Sequence, residues 1–208
     1  MNRDLIIKQL EDVGTGRWGS GMARSERIER GDHDLNPGMP KPEKLKPAAV
    51  LVPIVDRPDG MTILLTQRTD HLNDHAGQIA FPGGRAEPTD RNLQATALRE
   101  TEEEVGLTRD RIELVGQLDI YVTRTGFEVT PVVGIVNPPF PVKPDPFEVA
   151  DVFEVPLSFI VDPDNHVQDS RIHNGVTRLF YVLPYEGRYI WGATAGILVN
   201  LSEVLRGA

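Results

Sequence analysis

Three glutamates near the middle of the chain are spaced so that one helix would carry them on a single face. Glu100, Glu103 and Glu104 stand at positions i, i+3 and i+4, and side chains with this spacing project from the same side of an α-helix. Carboxylate oxygens grouped in this way are the hard ligands that Mg²⁺ and Mn²⁺ prefer. A solvated acidic surface is the alternative interpretation, because exposed like charges at i, i+4 cost only about 0.2–0.5 kcal/mol.

The sequence around these glutamates favours a functional site. It reads RETEEEVGL over residues 99–107, and the loop GGRAEPTD over residues 83–90 precedes it. The two segments resemble the signature sequence of the Nudix hydrolases, G-x5-E-x7-R-E-U-x-E-E-x-G-U, where U is apolar. Here Asp90 stands at the first acidic position, eight residues (91 to 98) precede Arg99, and Thr101 replaces an apolar residue. The half of the signature that carries the metal chemistry is intact.

A segment upstream narrows the resemblance to the coenzyme A pyrophosphatase branch of that family. Residues 64–84, LLTQRTDHLNDHAGQIAFPGG, are similar to the element L-L-T-x-R…G-x-x-x-F-P-G-G, with matching spacing from Arg68 to Gly77. Thr69 stands where Ser or Ala is usual, and Asn73 stands where Arg is usual. The resemblance implies a diphosphatase that acts on coenzyme A, although the absence of this Arg weakens the indication of substrate.

Two further segments extend the resemblance towards the end of the chain. EVADVFEVPL (148–157) and IWGATAGIL (190–198) also look like the coenzyme A branch. We therefore expect a Nudix hydrolase domain over residues 46–208, preceded by a helix and a linker arm over residues 1–45.

Length, charge and composition exclude several classes of protein. The chain has 208 residues, a formal net charge of −9 and no cysteine, so disulfides, thiol catalysis and thiolate zinc sites are excluded. No basic run is present, and a nucleic-acid partner is not expected. No apolar run reaches 18 residues and the N-terminus lacks the apolar core of a signal peptide. We expect a cytoplasmic protein without a membrane partner.

Apolar periodicity and turn residues predict a mixed α/β fold. A helix is predicted over residues 92–105, with Asp90 as a candidate N-cap and Gly106 as its left-handed C-terminal residue. A closing helix is predicted over residues 194–205. Together with the resemblance, the order of elements implies a Nudix-type α/β/α sandwich around a mixed β-sheet. The predicted strands are 48–55, 61–67, 78–81, 112–122, 128–136, 167–172 and 178–183, and a short helix is predicted over 156–161.

The N-terminal segment has a different character. Residues 2–13 read as a short amphipathic helix whose apolar stripe consists of Leu5, Ile6, Leu10 and Val13. This stripe must pack on the main domain or on a second subunit, which makes a homodimer one expectation. Residues 14–46, rich in Gly, Pro and charge, read as a linker or surface arm.

The resemblance implies a reaction and a set of metal ligands. The reaction is the divalent-metal-dependent hydrolysis of a phosphoanhydride, with coenzyme A or acyl-coenzyme A giving 3′,5′-ADP and a 4′-phosphopantetheine. Glu103 and Glu104 are the firmest ligands for Mg²⁺ or Mn²⁺. Glu100 is a ligand or lies close to the attacking water, and a backbone carbonyl of Gly83 or Gly84 completes the coordination.

The resemblance also implies roles for residues around the metal. Arg99 is expected to orient a glutamate through an ion pair, with phosphate binding as the alternative. Glu148 is the first candidate for the catalytic base, with Glu154 as the second, although an ordinary exposed acid is an alternative for both. His71 and His75 are expected to be substrate-loop residues rather than zinc ligands. Trp191 is expected to be a core aromatic, with stacking on an adenine as the alternative. The expected substrate contacts are Arg68, Gly77, Gln78 and Arg85.

Two other functions are compatible with the same residues. The reaction could be retained with ADP-ribose, NADH or a nucleoside triphosphate as substrate. A non-catalytic Nudix-like nucleotide sensor is the alternative from another class, and the complete Glu100, Glu103 and Glu104 set argues against it because binding alone does not require that cluster. A purely structural acidic helix is disfavoured by the two matching segments at compatible spacing.

Overall fold

The computed structural model describes residues 2–12, 28–71, 75–173 and 175–207. Within these ranges the chain forms four α-helices and twelve β-strands. Asn73 and Val13 lie outside the described residues. The helices are α1 (Arg3–Asp12), α2 (Leu93–Val105), α3 (Leu157–Val161) and α4 (Ala193–Arg206), and the strands are β1 (Glu29–Gly31), β2 (Lys46–Val55), β3 (Thr62–Arg68), β4 (Ile79–Ala80), β5 (Gly83–Arg85), β6 (Ile112–Gln117), β7 (Ile120–Val122), β8 (Phe127–Val136), β9 (Val149–Pro156), β10 (Val167–His173), β11 (Val176–Tyr185) and β12 (Arg188–Trp191).

A mixed sheet of nine strands, counted over the described residues, forms the centre of the fold. β2 and β8 run parallel in its middle, with Lys46 in register with Phe127 and Val55 with Val136. β2 also pairs antiparallel with β3 and β5, while β8 pairs antiparallel with β6 and β7. Both central strands read as nearly continuous apolar runs because both of their faces are buried.

Helices cover the two faces of this sheet. Because successive strand residues point to opposite faces, Ala49 and Leu51 of β2 pack with Ala97 of α2. Val52 of β2 belongs to the larger core on the opposite face, together with Leu198 of α4. The predicted α/β/α sandwich around a mixed sheet is confirmed.

A second, three-stranded antiparallel sheet extends the fold at its C-terminal side. β11 pairs with β10 and with β12, and its buried residue Leu183 packs with Ile190 in the larger core. α4 packs against both β11 and β12. The predicted pair of strands 167–172 and 178–183 is confirmed, while β12 was not predicted.

Some predicted elements differ from the observed ones. The single strand predicted over 112–122 is two strands, β6 and β7, which are separated at Leu118 and Asp119. The N–H of Asp119 then donates to Oδ1 of Asn200 on α4 at 3.1 Å, which takes the backbone out of the strand ladder. β9 and β1 were not predicted either, and β1 lies within the segment that was expected to be a linker.

The N-terminal helix packs on the chain's own domain. Ile6 and Leu10 are fully buried in the main core, and α1 contacts α4 and β6. Its apolar stripe is thereby accounted for without a second subunit, so it gives no support to a homodimer. No helix within the described ranges is both long and apolar enough to cross a membrane.

Candidate functional site

Helix α2 is defined at both ends by capping residues. The side chain of Asn92 accepts the N–H of Ala95 at 2.9 Å, which satisfies one of the free donors of the first turn. Gly106 ends the helix with φ 70°, and its N–H donates to the carbonyl of Glu102, as a left-handed cap requires. The prediction of Gly106 is confirmed, and the candidate N-cap Asp90 is wrong because Asn92 holds that position.

Asp90 instead forms a two-pronged ion pair with Arg99. Nε of Arg99 lies 3.0 Å from Oδ1 of Asp90, and Nη2 lies 3.0 Å from Oδ2. Asp90 also accepts the hydroxyl of Thr96 at 2.9 Å and the backbone N–H of Glu87 at 2.9 Å. The guanidinium, with these additional donors, holds the pKa of the Asp90 carboxyl well below its usual range. Asp90 is therefore favoured in its charged form and anchors Arg99.

Arg99 spreads its remaining donors over the glutamates. Nη1 donates to Oε1 of Glu100 at 2.9 Å and to Oε2 of Glu103 at 3.0 Å, and Nη2 also donates to the carbonyl of Arg85 at 3.2 Å. One guanidinium thus connects the loop that precedes α2 to two carboxylates of the helix. These are the contacts that an orienting role requires.

Glu104 is a buried carboxylate. It is 5% exposed, and its Oε2 accepts the N–H of Gly83 at 3.1 Å. Burial raises the pKa of Glu104 to about 8, the neighbouring charges of Glu100 and Glu148 add to the rise, and Gly83 and Arg68 oppose it. Arg68 Nη1 lies 3.8 Å from Oε1 of Glu104, too far for a good hydrogen bond. The neighbouring groups therefore do not fully neutralise a charge on the Glu104 carboxylate.

The Gly-Gly loop lies directly against the second carboxylate. A Cβ atom on Gly84 would fall 2.6 Å from Oε2 of Glu100, so glycine is needed here for close approach. Burial raises the pKa of Glu100; Arg99 opposes the rise, and the charges of Glu103 and Glu148 add to it. The loop backbone and the Glu100 carboxylate therefore line the same small volume.

Glu148 approaches the site from the segment before β9. Thr69 ties this segment to the end of β3, because its N–H donates to the carbonyl of Glu148 at 3.0 Å and its hydroxyl to that of Phe147 at 2.8 Å. The charge of Glu148 acts on both Glu100 and Glu104. The structure therefore brings this predicted residue to the helix glutamates.

Glu154 is engaged elsewhere. Its carboxylate accepts Nη2 of Arg57 at 2.6 Å and the hydroxyl of Thr62 at 2.5 Å. These contacts form a structural ion pair between β9 and the β2–β3 hairpin. Glu154 is accordingly not a candidate base.

A cleft of about 640 Å³ opens beside the Gly-Gly loop. Of the predicted substrate contacts, Arg68, Gln78 and Arg85 line it. Gly77 lies at the preceding turn with φ 68°, where glycine is favoured. The cleft has the size of a small-molecule site.

Three residues that the sequence placed nearby lie in different surroundings. His75 lines the cleft, and its Nδ1 lies 2.7 Å from Oε1 of Gln78. His71 is exposed and packs edge-on against Phe147 at 4.8 Å. The prediction of Trp191 as a core aromatic is wrong, since it is half-buried and lines the cleft. Arg171 and Arg178 of the β10–β11 hairpin also line this cleft, and they were not predicted because only tertiary contact brings them there.

The carboxylate set fits a hard divalent cation in its chemistry and charge. Glu104 is buried beside Glu100 and Glu148, and Glu103, paired with Arg99, is 58% exposed at its side chain. No three His, Cys, Asp or Glu side chains within the described ranges converge as a ready-made metal cage. Mg²⁺ does not require one, because it usually keeps several waters and binds through one or two carboxylates and substrate phosphates.

The sandwich, the Gly-Gly loop and the carboxylate helix define a class of protein, the hydrolases that act on phosphoanhydrides. The family model of the NUDIX domain matches residues 45–172. The chain belongs to the Nudix hydrolase family, whose members generally use divalent metal ions.

Several known proteins are similar to this chain. It is 44% identical over 156 residues to the uncharacterised Nudix hydrolase NudL of Yersinia enterocolitica, covering 75% of this chain and 80% of that protein. It is 42% identical over 156 residues to NudL of Yersinia pestis, covering 75% and 78%. A MutT/nudix family protein of Enterococcus faecalis has a crystal structure that superposes with a TM-score of 0.48 at 19% identity, covering 78% of this chain and 62% of that one. The sequence relatives establish the family and leave the substrate open.

Proposed function

We propose that this Nudix hydrolase cleaves the diphosphate of coenzyme A or an acyl-coenzyme A, giving 3′,5′-ADP and a 4′-phosphopantetheine. Mg²⁺ or Mn²⁺ would be held by Glu100, Glu103 and Glu104, with the carbonyl of Gly84 or Gly83. The observation that carries the proposal is Glu104, a carboxylate that is 5% exposed and whose pKa is raised to about 8 by burial among other acids. Such a group needs a cation to be stable in its charged form.

The reaction is a hydrolysis in which water attacks one phosphorus and the bridging P–O bond breaks. A bound divalent ion would supply charge neutralisation for the diphosphate and a more acidic water. Glu148 is proposed to accept the proton of the water, since it faces the helix glutamates from outside the helix. Arg99 fixes the orientations of Glu100 and Glu103 through the contacts described above. The phosphomonoester on the other side of the broken bond leaves as the second product.

Two features support coenzyme A as the substrate. The first is the resemblance of residues 64–84 to the coenzyme A branch. The second is that Arg68, Gln78 and Arg85 line one cleft beside the Gly-Gly loop. Nε of Arg68 is buried and, among the described residues, has no hydrogen-bond partner, so its guanidinium retains donor capacity for a phosphate oxygen.

Chromatography of the products formed from coenzyme A tests the proposal. The wild-type chain, incubated with Mg²⁺ or Mn²⁺, is expected to release 3′,5′-ADP, and Glu103→Gln is expected to reduce the rate by at least about 100-fold, as loss of a catalytic electrostatic group does. Glu102→Gln is the matched control, since Glu102 is exposed on the same helix and lies about 200° around it from Glu100. Equal rates for the two variants would contradict the role of the glutamate face.

One observation favours a second substrate class. Asn73, where the coenzyme A branch usually has Arg, removes one candidate phosphate contact, so ADP-ribose, NADH and nucleoside triphosphates are the next substrates to assay. A nucleotide sensor without catalysis would be favoured if Glu103→Gln left the ligand response intact.

We also propose a cytoplasmic location. A homodimer stays a prediction, and light scattering after size-exclusion chromatography is the measurement that tests it.

A further inference from the structure

A group of arginines lines a part of the cleft that the proposed reaction does not use. Arg124 follows β7, while Arg171 and Arg178 lie on the β10–β11 hairpin, and all three line the same cleft as Arg68 and Arg85. We call these three residues the hairpin arginine cluster. The chain as a whole carries a net charge of −9, so this local excess of positive charge does not follow from a generally basic surface.

Two members of the cluster are held side by side by the sheet. Arg171 and Arg178 are direct partners in the antiparallel register of β10 and β11, so their side chains leave the same face about 4.5–5.5 Å apart at Cβ. Like charges in this position are destabilising unless something offsets them. Arg171 gains part of the offset by lying over the Trp191 ring at 4.5 Å. A bound anion between the two guanidinium groups would supply the rest.

Arg124, the third member, is held in place by its neighbours, so that its positive charge adds to those of the other two arginines. Nη1 of Arg124 lies 3.1 Å from Nε2 of His173, which can accept from the guanidinium in one tautomer of the ring. The backbone N–H of Arg124 donates to Oδ2 of Asp32 at 2.7 Å, and Tyr121 donates its hydroxyl to Oδ1 at 2.8 Å. Asp32, which also lines this part of the cleft, therefore holds the turn in place, and each of its carboxylate oxygens has a hydrogen-bond donor.

The chemistry of the cluster matches a phosphomonoester. A phosphate monoester carries close to two negative charges at neutral pH and several acceptor oxygens, and Arg recognises such groups with paired, permanently charged donors. Half-buried Phe180 and Trp191 lie beside the cluster with ring centroids 5.4 Å apart in an edge-to-face arrangement, which gives the same wall an apolar surface. A cleft of about 640 Å³ is large enough for one ligand to touch both the loop at Gly84 and this wall.

We propose that the hairpin arginine cluster binds a phosphomonoester on the ribose of a nucleotide whose diphosphate lies at the α2 glutamates. The inference rests on the proposed function and makes it more specific, because it selects substrates with a third, separate phosphate. The ribose 3′-phosphate of coenzyme A and the 2′-phosphate of an NADP-type dinucleotide both satisfy it. ADP-ribose and NADH lack this group.

Isothermal titration of the full chain with 3′,5′-ADP, 2′,5′-ADP and 5′-AMP tests the cluster without catalysis. The wild type is expected to bind at least one bisphosphate at least about tenfold more tightly than 5′-AMP, and the preferred isomer identifies the ribose position. Arg178→Gln and, separately, the exposed Arg124→Gln are expected to abolish this preference while leaving 5′-AMP affinity unchanged. Arg109→Gln, an exposed arginine remote from the cleft, is the matched control.

Equal affinities of the wild type for all three nucleotides would overturn the inference, as would variants that keep the preference. Variants that weaken 5′-AMP to the same extent would also overturn it, since the effect would then be on the whole cleft. Thermal unfolding of each variant identifies a folding defect, and Arg124→Gln, at an exposed turn, keeps the test decisive if Arg178→Gln is unstable.

Activity on coenzyme A and on 3′-dephospho-coenzyme A separates this inference from the proposed function. Tight bisphosphate binding without cleavage of either compound would refute the proposed function and support the cluster. Cleavage of both with equal kcat/KM, unchanged in Arg178→Gln, would support the proposed function and refute the cluster. A preference for coenzyme A that Arg178→Gln removes would support both.

Discussion

At the scale of single residues, Arg99 holds the site together because its donors reach three carboxylates. Two donors go to Asp90 and the others to Glu100, Glu103 and the carbonyl of Arg85. The Arg99 side chain is 22% exposed and that of Asp90 is 7% exposed, so this pair is less screened than a surface ion pair. The position of the glutamates therefore depends on an acid outside the helix.

We expect Asp90→Asn to lower both stability and activity. The variant removes a charge from the two-pronged pair, and hydrogen bonds to charged groups contribute about 1.5–3 kcal/mol each, so the free energy of unfolding should fall by roughly that amount. Arg99 would then shift toward the glutamates, and kcat should fall as well. Urea unfolding and steady-state kinetics are the measurements.

The control for Asp90→Asn is Asp110→Asn. Asp110 is 71% exposed and lies 3.5 Å from Arg111, so its removal should leave kcat unchanged and stability altered by less than about 1 kcal/mol. If the two variants behaved alike, the pairing of Asp90 with Arg99 would not be what holds the glutamates in position.

A second residue-scale prediction concerns the Gly-Gly loop. Gly84→Ala would place a Cβ 2.6 Å from the Glu100 carboxylate, and the flexible Glu100 side chain can move away at little cost to the fold. We expect activity to fall by about tenfold or more, because a small displacement of a catalytic group has effects of this size, while the melting temperature changes little. Parallel assays and thermal unfolding check this, and a large loss of stability with full activity per folded molecule would contradict it.

At the scale of secondary-structure elements, α2 depends on its cap. Asn92→Ala is expected to cost about 1 kcal/mol in the free energy of unfolding, which is typical for loss of an N-cap. Arg91→Ala, at the exposed neighbouring residue, should change stability by no more than about 0.5 kcal/mol. Urea unfolding of both variants is the measurement, and a larger cost for Arg91→Ala would mean that the cap is not at Asn92.

The elements that the sequence predicts well are those with local signals. The glutamate face and the end of α2 at Gly106 follow from helical spacing and from the φ preference of glycine. The break between β6 and β7 depends on Asn200, some eighty positions further along the chain, and no local sequence pattern predicts it. β9 escapes prediction because its burial does not alternate. Tertiary contacts therefore decide the elements that the sequence pattern misses.

The same distinction applies to the candidate site. The sequence supplies Glu100, Glu103 and Glu104 as one face, but it does not indicate that Glu104 alone is buried, because that depends on Gly83 and the loop above it. It gives Asp90 as a candidate N-cap, and only the folded loop pairs it with Arg99. The hairpin arginine cluster is even less local, since Arg124 and the β10–β11 hairpin meet through the fold.

At the scale of the whole molecule, the N-terminal helix becomes part of the domain it precedes. Asn36 reinforces the attachment of the following segment, because its side chain exchanges hydrogen bonds of 2.9 Å with both the carbonyl and the N–H of Leu179 on β11. Arg30 adds an ion pair of 2.7 Å to Glu203 on α4. We therefore expect the regions on the two sides of residue 45 to unfold together.

Substitutions within α1 test this attachment. Ile6→Ala removes a fully buried side chain from the core shared with α4, and such changes cost about 2–5 kcal/mol. Leu5→Ala is the matched control on the same helix, because Leu5 is 40% exposed and its loss should cost less than about 1 kcal/mol. Urea unfolding of the full chain gives both values, and light scattering gives the mass of each variant. Equal costs would mean that α1 is not docked, whereas a mass halved only in Ile6→Ala would show that the buried stripe joins two subunits after all.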